Sequence, residues 1–171
     1  MKGGALLLAL LLMGLLWLMV GCATLSAQEP VQRVPDIVSW ATASANPVIA
    51  VVQAFRSDTP RCRLGQLGIS GGITATAGLL AQHYVTSPRP CLGSPGCAGN
   101  GAPSMHAAIS ALGISRGVHT GLGVTLSISL AIGTAGGRVD AQRHTKTQAA
   151  LGLALGGLAE WGGRSLLHCG G

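Results

Sequence analysis

Glycine and alanine recur throughout the apolar segments of this chain, and few charges interrupt them. Of the 171 residues, 27 are glycine, 48% are hydrophobic and only 9% are charged, whereas about 25% of the residues of an ordinary soluble domain are charged. Small residues let helix backbones approach closely, as they do in membrane proteins. Since no segment shows the polar–apolar alternation of a half-buried strand, the sequence predicts an all-α protein at or near a membrane.

The predicted fold is a compact helical bundle of about five to six helices, with an active site at the helix ends. Pro47 predicts a kink or a break in the first helix, and Ser104 is the predicted N-cap of the third. The apolar runs are short, which favours a membrane-tethered or membrane-apposed domain over a polytopic one, although the last two long helices could dip into the bilayer. The predicted helices are 36–55, 64–85, 105–117, 119–137 and 140–167.

The N-terminus has the order of a secretory signal. A basic "MKGG" precedes the sixteen apolar residues "ALLLALLLMGLLWLMV", and "GCATLSAQEP" then turns polar; the run is shorter than the roughly 20 residues of a spanning helix. "LMVGC" resembles a bacterial lipoprotein box, which predicts lipidation of Cys22, with a plain signal peptide or an uncleaved anchor as the alternative. The predicted organisation is a signal peptide at 1–21, a tether at 22–35 and a helical domain at 36–171, exported to the periplasmic side of a bacterial membrane.

The cysteine count agrees with export. Beyond Cys22, four cysteines remain, and an even number in an exported chain suggests two disulfides with three possible pairings. Cys91 and Cys97 enclose the turn-rich "LGSPG", so local closure is favoured there, which leaves Cys62 to pair with Cys169. A four-thiolate zinc site is disfavoured because the chain has no CxxC pair.

The charges indicate an anion-binding site and argue against a nucleic-acid partner. The net charge is +6 with only 3% aromatic residues, so the chain offers few platforms on which bases could stack. Three polar clusters are predicted where loops meet helices. They are Arg89 in "SPRP", Ser104 and His106 in "PSMH", and Arg138 and His144 in "GRVDAQRH".

These residue types suit the hydrolysis of a phosphoester. Arginines and oriented donors can hold the phosphoryl oxygens, while two histidines divide the roles of nucleophile and general acid. Each residue alone has an ordinary explanation. Ser104 would cap a helix, Arg138 would stabilise a helix C-terminus, Arg89 would be solvated, and an isolated histidine would be structural.

Taken together, "SPRP", "PSMH" and "GRVDAQRHTKTQ" resemble the three signature motifs of the type 2 phosphatidic acid phosphatase and haloperoxidase superfamily, K-x6-R-P, P-S-G-H and S-R-x5-H-x3-D. The order matches, and the motifs span residues 82–148. The resemblance implies a helical bundle and a phosphatase that needs no metal or other cofactor. It also implies site roles: His144 as the nucleophile that becomes a phosphohistidine, His106 as the general acid, and Arg89, Arg138, Ser104 and the Met105 amide as phosphate ligands.

The chain departs from the family pattern at four positions. Gln82 replaces the first lysine, Met105 the glycine of the second motif, Gly137 a serine, and Gln148 the last aspartate. Lys146 or Arg143 could replace the missing charge, and a Met105 side chain could narrow the pocket or touch an apolar substrate. Two residues are candidates to orient His144, namely Gln148 and Asp140.

The expected function is that of an exported, membrane-associated phosphatase acting on a phosphomonoester or a pyrophosphate. A lipid-borne substrate is favoured, since "HTxxQ" resembles members that act on polyprenyl pyrophosphates. One alternative is a phosphotransferase that passes the group to an acceptor alcohol. The other is an inactive relic that binds anionic headgroups, for which Gln82 and Gln148 are the best evidence. A haloperoxidase is disfavoured, because the chain is short and lacks the first lysine.

Overall fold

The computed structural model describes residues 30–90, 100–114 and 121–169, and within these ranges the chain is a bundle of five helices. The only β-type pairing in the described ranges is an isolated bridge between Pro88 and Asn100. The prediction of a compact all-α bundle is therefore confirmed. The helices are α1 Pro30–Arg56, α2 Pro60–Tyr84, α3 Met105–Ala111, α4 Gly121–Asp140 and α5 Lys146–Leu166.

Helix α5 is the centre of the packing, and its glycines make the contacts possible. It packs most extensively against α2 and α3. A Cβ atom built on Gly152 would lie 2.3 Å from the Ser104 carbonyl oxygen of α3's N-cap, and one built on Gly163 would lie 2.1 Å from Ser70 Oγ of α2. Residues without a side chain on this face of α5 let the neighbouring backbones approach closely.

The interior is built from alanine and small polar residues, while the large apolar side chains point outward. Among the described residues, every buried hydrophobic side chain except Leu112 is an alanine. Leucine, isoleucine, valine and tryptophan side chains are exposed on α1, α2, α4 and α5, among them Leu79, Leu122 and Trp161. An exposed apolar surface of this extent is typical of a protein that contacts a membrane or another apolar partner.

Of the helices that the structure describes, two are long and apolar enough to cross a membrane. They are Pro60–Tyr84 and Leu122–Asp140, and only 22% and 33% of their apolar windows are buried inside the bundle. The core helix of a soluble protein passes the same test of length and composition, but it is mostly buried. The outward-facing apolar surface of both helices is thus compatible with membrane association.

A disulfide closes one end of the bundle. Cys62 at the start of α2 is bonded to Cys169, 107 residues later, as the sequence predicts. Gln66 Nε2 also donates to the Leu167 carbonyl oxygen, so two linkages hold the end of the chain against α2. Cys22, Cys91 and Cys97 lie outside the described residues, as does the predicted signal peptide.

Helix α1 begins earlier than predicted and helix α3 ends earlier. Helix α1 begins at Pro30, inside the segment predicted as a tether, and continues past Pro47 to Arg56. Helix α3 ends at Ala111, because Gly113 has a φ of 84°, a conformation that favours glycine. A Cβ at Gly113 would lie 2.7 Å from Ala50 Cβ of α1, so the chain turns where α3 meets α1.

The predicted last helix, 140–167, is divided in the structure. Helix α4 continues to Asp140, residues 141–145 form a turn, and α5 begins at Lys146. Thr145 and Gln148 form a reciprocal capping box at this start, an arrangement that satisfies two main-chain donors of the first helical turn. Arg138 therefore lies in the last turn of α4, and not at the entrance of α5 as predicted.

Candidate active site

The three sequence clusters converge at the end of the bundle opposite the disulfide. The end of α2, the start of α3, the end of α4 and the start of α5 meet there, because α2 and α4 run towards this end and α3 and α5 run away from it. The hydrogen bonds described below connect the segments to one another. The predicted position of the site, at helix ends, agrees with this arrangement.

The turn between α4 and α5 places Arg138 beside His144. The Arg138 carbonyl oxygen accepts hydrogen bonds from the backbone N–H groups of Arg143 (3.0 Å) and His144 (3.1 Å). Gln142, which lies between Arg138 and Arg143 in the chain, has a φ of 55°. This value is uncommon for a residue other than glycine and lets the chain reverse its direction. Arg138 and His144 are both buried, with exposed fractions of 5% and 3%.

The segment that carries Arg89 is paired with the segment that precedes Ser104. Gly101 N–H donates to the Ser87 carbonyl oxygen at 2.7 Å, and Ser87 N–H donates to Asn100 Oδ1 at 2.9 Å. Asn100 Nδ2 also donates to the carbonyl oxygens of Gln82 (2.7 Å) and Val85 at the end of α2. Asn100 thereby fastens both segments to α2.

Gln148 joins this pair of segments to α5. Its Oε1 accepts from Thr145 N–H at 3.0 Å, and its Nε2 donates to Ser87 Oγ at 2.8 Å and to the Pro88 carbonyl oxygen at 3.0 Å. The Gln148 carbonyl oxygen accepts from Ser104 N–H at 3.0 Å. A single buried carboxamide residue thus contacts all three sequence motifs.

Ser104 occupies the N-cap position of α3 but does not act as a side-chain cap. Its side chain makes no capping hydrogen bond, and its Oγ is fully buried without a hydrogen-bond partner. His106 Nε2 is likewise buried without a partner, and its ring lies 4.2 Å from that of Trp40 in α1. Buried polar atoms in proteins are nearly always hydrogen-bonded, so these two atoms suit a ligand that supplies the missing partners.

The electrostatics of the site favour an anion. Burial, and then the positive charges of Arg138 and Arg89 together with His144, lowers the pKa of His106 to about 3. Burial and the same two arginines lower the pKa of His144 to about 4, against the raising effects of the Gly101 carbonyl and the Gln148 side chain. Both imidazoles are therefore neutral at pH 7, and the charges that act on them come from the two arginines. A bound anion would raise both pKa values by favouring the charged imidazolium.

The other residues singled out by the sequence are Gln82, Asp140, Lys146 and Arg143, and their surroundings differ. Gln82 Nε2 donates to the Pro103 carbonyl oxygen at 3.2 Å, so this position supports the second motif instead of carrying a cation. Asp140 is exposed and is not among the charges that shift the pKa of His144; of the two orienting candidates, only Gln148 acts on that histidine. Lys146 is exposed at the first position of α5, whereas Arg143 is buried in the turn.

The Met105 side chain packs against a neighbouring helix. A Cβ built on Gly78 of α2 would lie 2.3 Å from the Met105 sulfur and 3.6 Å from Leu155. The methionine thus fills the space that a glycine leaves on α2, where its thioether can adapt to an irregular gap. This placement accounts for Met105 by helix packing, and the predicted contact with substrate is not needed to explain it.

Four residues that support the site are missing from the sequence prediction. Asn100 and Gly101 form a turn-type dipeptide between the predicted helices 64–85 and 105–117. Ser87 precedes the first-motif proline and arginine, and Trp40 lies more than 60 residues before the histidine it contacts.

No group of three histidine, cysteine, aspartate or glutamate side chains that could hold a metal occurs among the described residues.

Comparisons of the chain with protein-family models, with curated proteins and with solved structures found no match.

Proposed function

We propose that this protein is a membrane-associated phosphatase that hydrolyses a phosphomonoester or a pyrophosphate through a phosphohistidine. The observation that carries the proposal is the convergence of two arginines and two histidines from separate segments of the chain, where burial and the arginines lower the pKa values of both histidines. Two arginines close to two histidines suit a multiply charged anion. The buried Ser104 hydroxyl offers a further donor.

In the first step, Arg89 and Arg138 hold the phosphoryl oxygens and His144 attacks the phosphorus. A P–N bond to His144 forms as the P–O bond to the leaving group breaks. His106 donates a proton to the departing oxygen, which requires that His106 be protonated in the substrate complex. The phosphate dianion of the substrate favours this protonation, because a negative charge close to an imidazole raises its pKa.

In the second step, water attacks the phosphorus of the phosphohistidine. His106, now neutral, accepts a proton from the water as general base, and the P–N bond breaks to return His144 and inorganic phosphate. The two arginines stabilise the charge on the phosphoryl oxygens in both transition states, which fixed charges in a buried site do without reorganisation.

The outer surface of the bundle supports a lipid-borne substrate. Residues 64–82 of α2 and 121–137 of α4 contain no charged residue, and helical stretches of seventeen to nineteen residues extend about 25–28 Å. This length is close to the roughly 30 Å thickness of the hydrocarbon core of a bilayer. The charged site residues lie beyond the end of these stretches, where lipid phosphates would be found if the apolar faces contact lipid. Export to the periplasmic side remains part of the proposal.

We expect the purified full-length protein to release phosphate from lipid phosphates or pyrophosphates and to be inhibited by vanadate. Arg138→Gln should lower kcat/KM by about 10²–10³-fold, the range for removal of one oxyanion ligand. Arg56→Gln, at the exposed opposite end of the bundle, is the matched control and should retain activity. Phosphate release from a panel of lipid and soluble esters is the measurement.

Two results of this assay would reject the proposal. One is no phosphate release from any substrate, which would favour an anion-binding relic. The other is equal activity of the two arginine variants. Transfer of phosphate to an added alcohol in preference to water would identify the phosphotransferase instead.

A further inference from the structure

His144 is held by a main-chain carbonyl group. Its Nδ1 lies 2.9 Å from the Gly101 carbonyl oxygen. A carbonyl oxygen can only accept a hydrogen bond, so Nδ1 must carry the proton and Nε2 must carry the lone pair. The hydrogen bond therefore selects the tautomer in which Nε2 is the basic, nucleophilic nitrogen.

Gln148 performs a task that a carboxylate could not perform at this position. Its Nε2 donates to Ser87 Oγ and to the Pro88 carbonyl oxygen, and both lie directly before Arg89. A carboxylate has no donor, so an aspartate or a glutamate there would face the Pro88 carbonyl oxygen without a hydrogen bond. The carboxamide thus holds the arginine segment in place, while its Oε1 serves the Thr145 cap.

Gly101 is the position where these two contacts meet. A Cβ added there would lie 2.6 Å from Gln148 Oε1 and 2.7 Å from Gln148 Nε2. The Gln148 side chain is fully buried, so it could move away only by giving up its hydrogen bonds to Thr145, Ser87 and Pro88. Because Gly101 has no side chain, it can pack against the Gln148 carboxamide while its own carbonyl oxygen faces His144.

We infer that Gly101 and Gln148 are positioning residues that together replace an orienting carboxylate. Gly101 fixes His144 as the Nδ1–H tautomer, and Gln148 fixes Gly101 and the Arg89 segment. The catalytic meaning of this arrangement rests on the proposed phosphatase function, but the tautomer itself does not. The charged groups that act on His144 are Arg138 and Arg89, His144 in turn acts on His106, and none of these groups is an acid.

The tautomer is measured by two-bond ¹⁵N–¹H correlation spectroscopy of the uniformly ¹⁵N-labelled full-length protein at pH 7. The His144 signals are assigned by their loss in His144→Gln. We expect a protonated Nδ1 and an unprotonated Nε2. A protonated Nε2 would overturn the inference, whatever the activity of the protein.

Gly101→Ala tests the positioning role, with Gly133→Ala as the matched control because a Cβ at Gly133 meets no atom within 4 Å. We expect Gly101→Ala to lose the fixed tautomer and to lower kcat about 100-fold with little change in KM, as a small misplacement of a reacting group does. Gly133→Ala should match the unmodified protein. Equal tautomer populations and kcat values in the two variants would contradict the inference.

Gln148→Glu provides a second variant that preserves the capping box. The new carboxylate should raise the pKa of His144, so that the acidic limb of the pH profile of kcat/KM moves to higher pH, and kcat should fall because the donors to Ser87 and Pro88 are lost. An unchanged profile would contradict the inference. A protein with the expected tautomer and no phosphatase activity would reject the proposed function alone, and an active protein with the opposite tautomer would reject this inference alone.

Discussion

His106→Ala should impair the hydrolysis of an alkyl phosphate far more than that of 4-nitrophenyl phosphate, whereas His144→Ala should abolish both. General acid catalysis contributes about 10²–10⁴-fold, and an alkoxide leaving group needs that proton. A nitrophenolate is a weak base and departs without it. Loss of the nucleophile affects every substrate alike, by about 10⁴-fold or more.

The time course distinguishes the two roles further. In His106→Ala, the first step with 4-nitrophenyl phosphate should remain fast while attack by water becomes slow, because the general base is also missing. One equivalent of nitrophenolate should therefore appear as a burst. His168→Ala, an exposed histidine at the other end of the bundle, should behave like the unmodified protein. Equal losses on both substrates in His106→Ala, without a burst, would contradict the assigned role.

Gly156→Ala should strongly destabilise the protein, whereas Gly157→Ala should stabilise it. A Cβ at Gly156 would lie 2.1 Å from the Ala108 carbonyl oxygen and 2.8 Å from Ala111 Cβ, so α3 and α5 would have to separate. Overpacking of this kind costs about 3 kcal/mol. At Gly157 a Cβ meets no atom within 4 Å, and alanine gains about 1 kcal/mol over glycine in an exposed helix.

Thermal unfolding of both variants in the same detergent or bilayer mimic measures this difference. For a chain of this length, each 1 kcal/mol shifts Tm by about 2–4 °C, so the two variants should move Tm in opposite directions. The pair is adjacent in sequence and shares the same helix, which removes differences in helix propensity. Similar Tm values for the two variants would contradict the close contact between α3 and α5.

Local features of the sequence were enough to predict the helical class and one disulfide. The predicted bounds of each of the five helices agree with the structure to within a few residues at one end or both, because apolar periodicity and glycine-rich composition report helix formation directly. The Cys62–Cys169 bond followed from elimination. The start of α5 was misplaced although its signal is present, since Thr145-x-x-Gln148 is a capping-box pattern. The family resemblance accounts for Gln148 as a departure from the motif and as a candidate to orient His144, and not as a capping residue.

The early end of α3 depends on tertiary contacts. It follows from the approach of Gly113 to Ala50, which a local pattern does not contain. The packing of Met105 over Gly78 is of the same kind, because it joins residues of different helices.

The candidate site could be predicted as a set of residues but not as a geometry. The three motifs predict that Arg89, Ser104, Arg138 and His144 lie near one another, and in the structure these residues lie at one end of the bundle. The supporting contacts are made by the Gly101 carbonyl oxygen to His144, by the Ser87 hydroxyl to Gln148 and by the Trp40 ring to His106. Main-chain groups carry no sequence signature, and serine or tryptophan at a distant position is ordinary in any chain.

The arrangement of the site couples the protonation of His106 to the binding of an anion. Burial and two nearby arginines lower the pKa values of both imidazoles well below 7, so the nucleophile keeps its lone pair close to positively charged groups. Binding of a dianion would offset the arginine charges and raise the pKa of His106. The acid would thus become protonated only when the substrate is present.

The central claim is that His144 is phosphorylated during turnover, and rapid-quench labelling with a ³²P-labelled phosphoester tests it most directly. We predict one label per chain, stable in alkali and released by acid, that peptide mapping locates at His144 and that His144→Ala abolishes. A label on another residue, or full turnover by His144→Ala without any covalent label, would contradict the account.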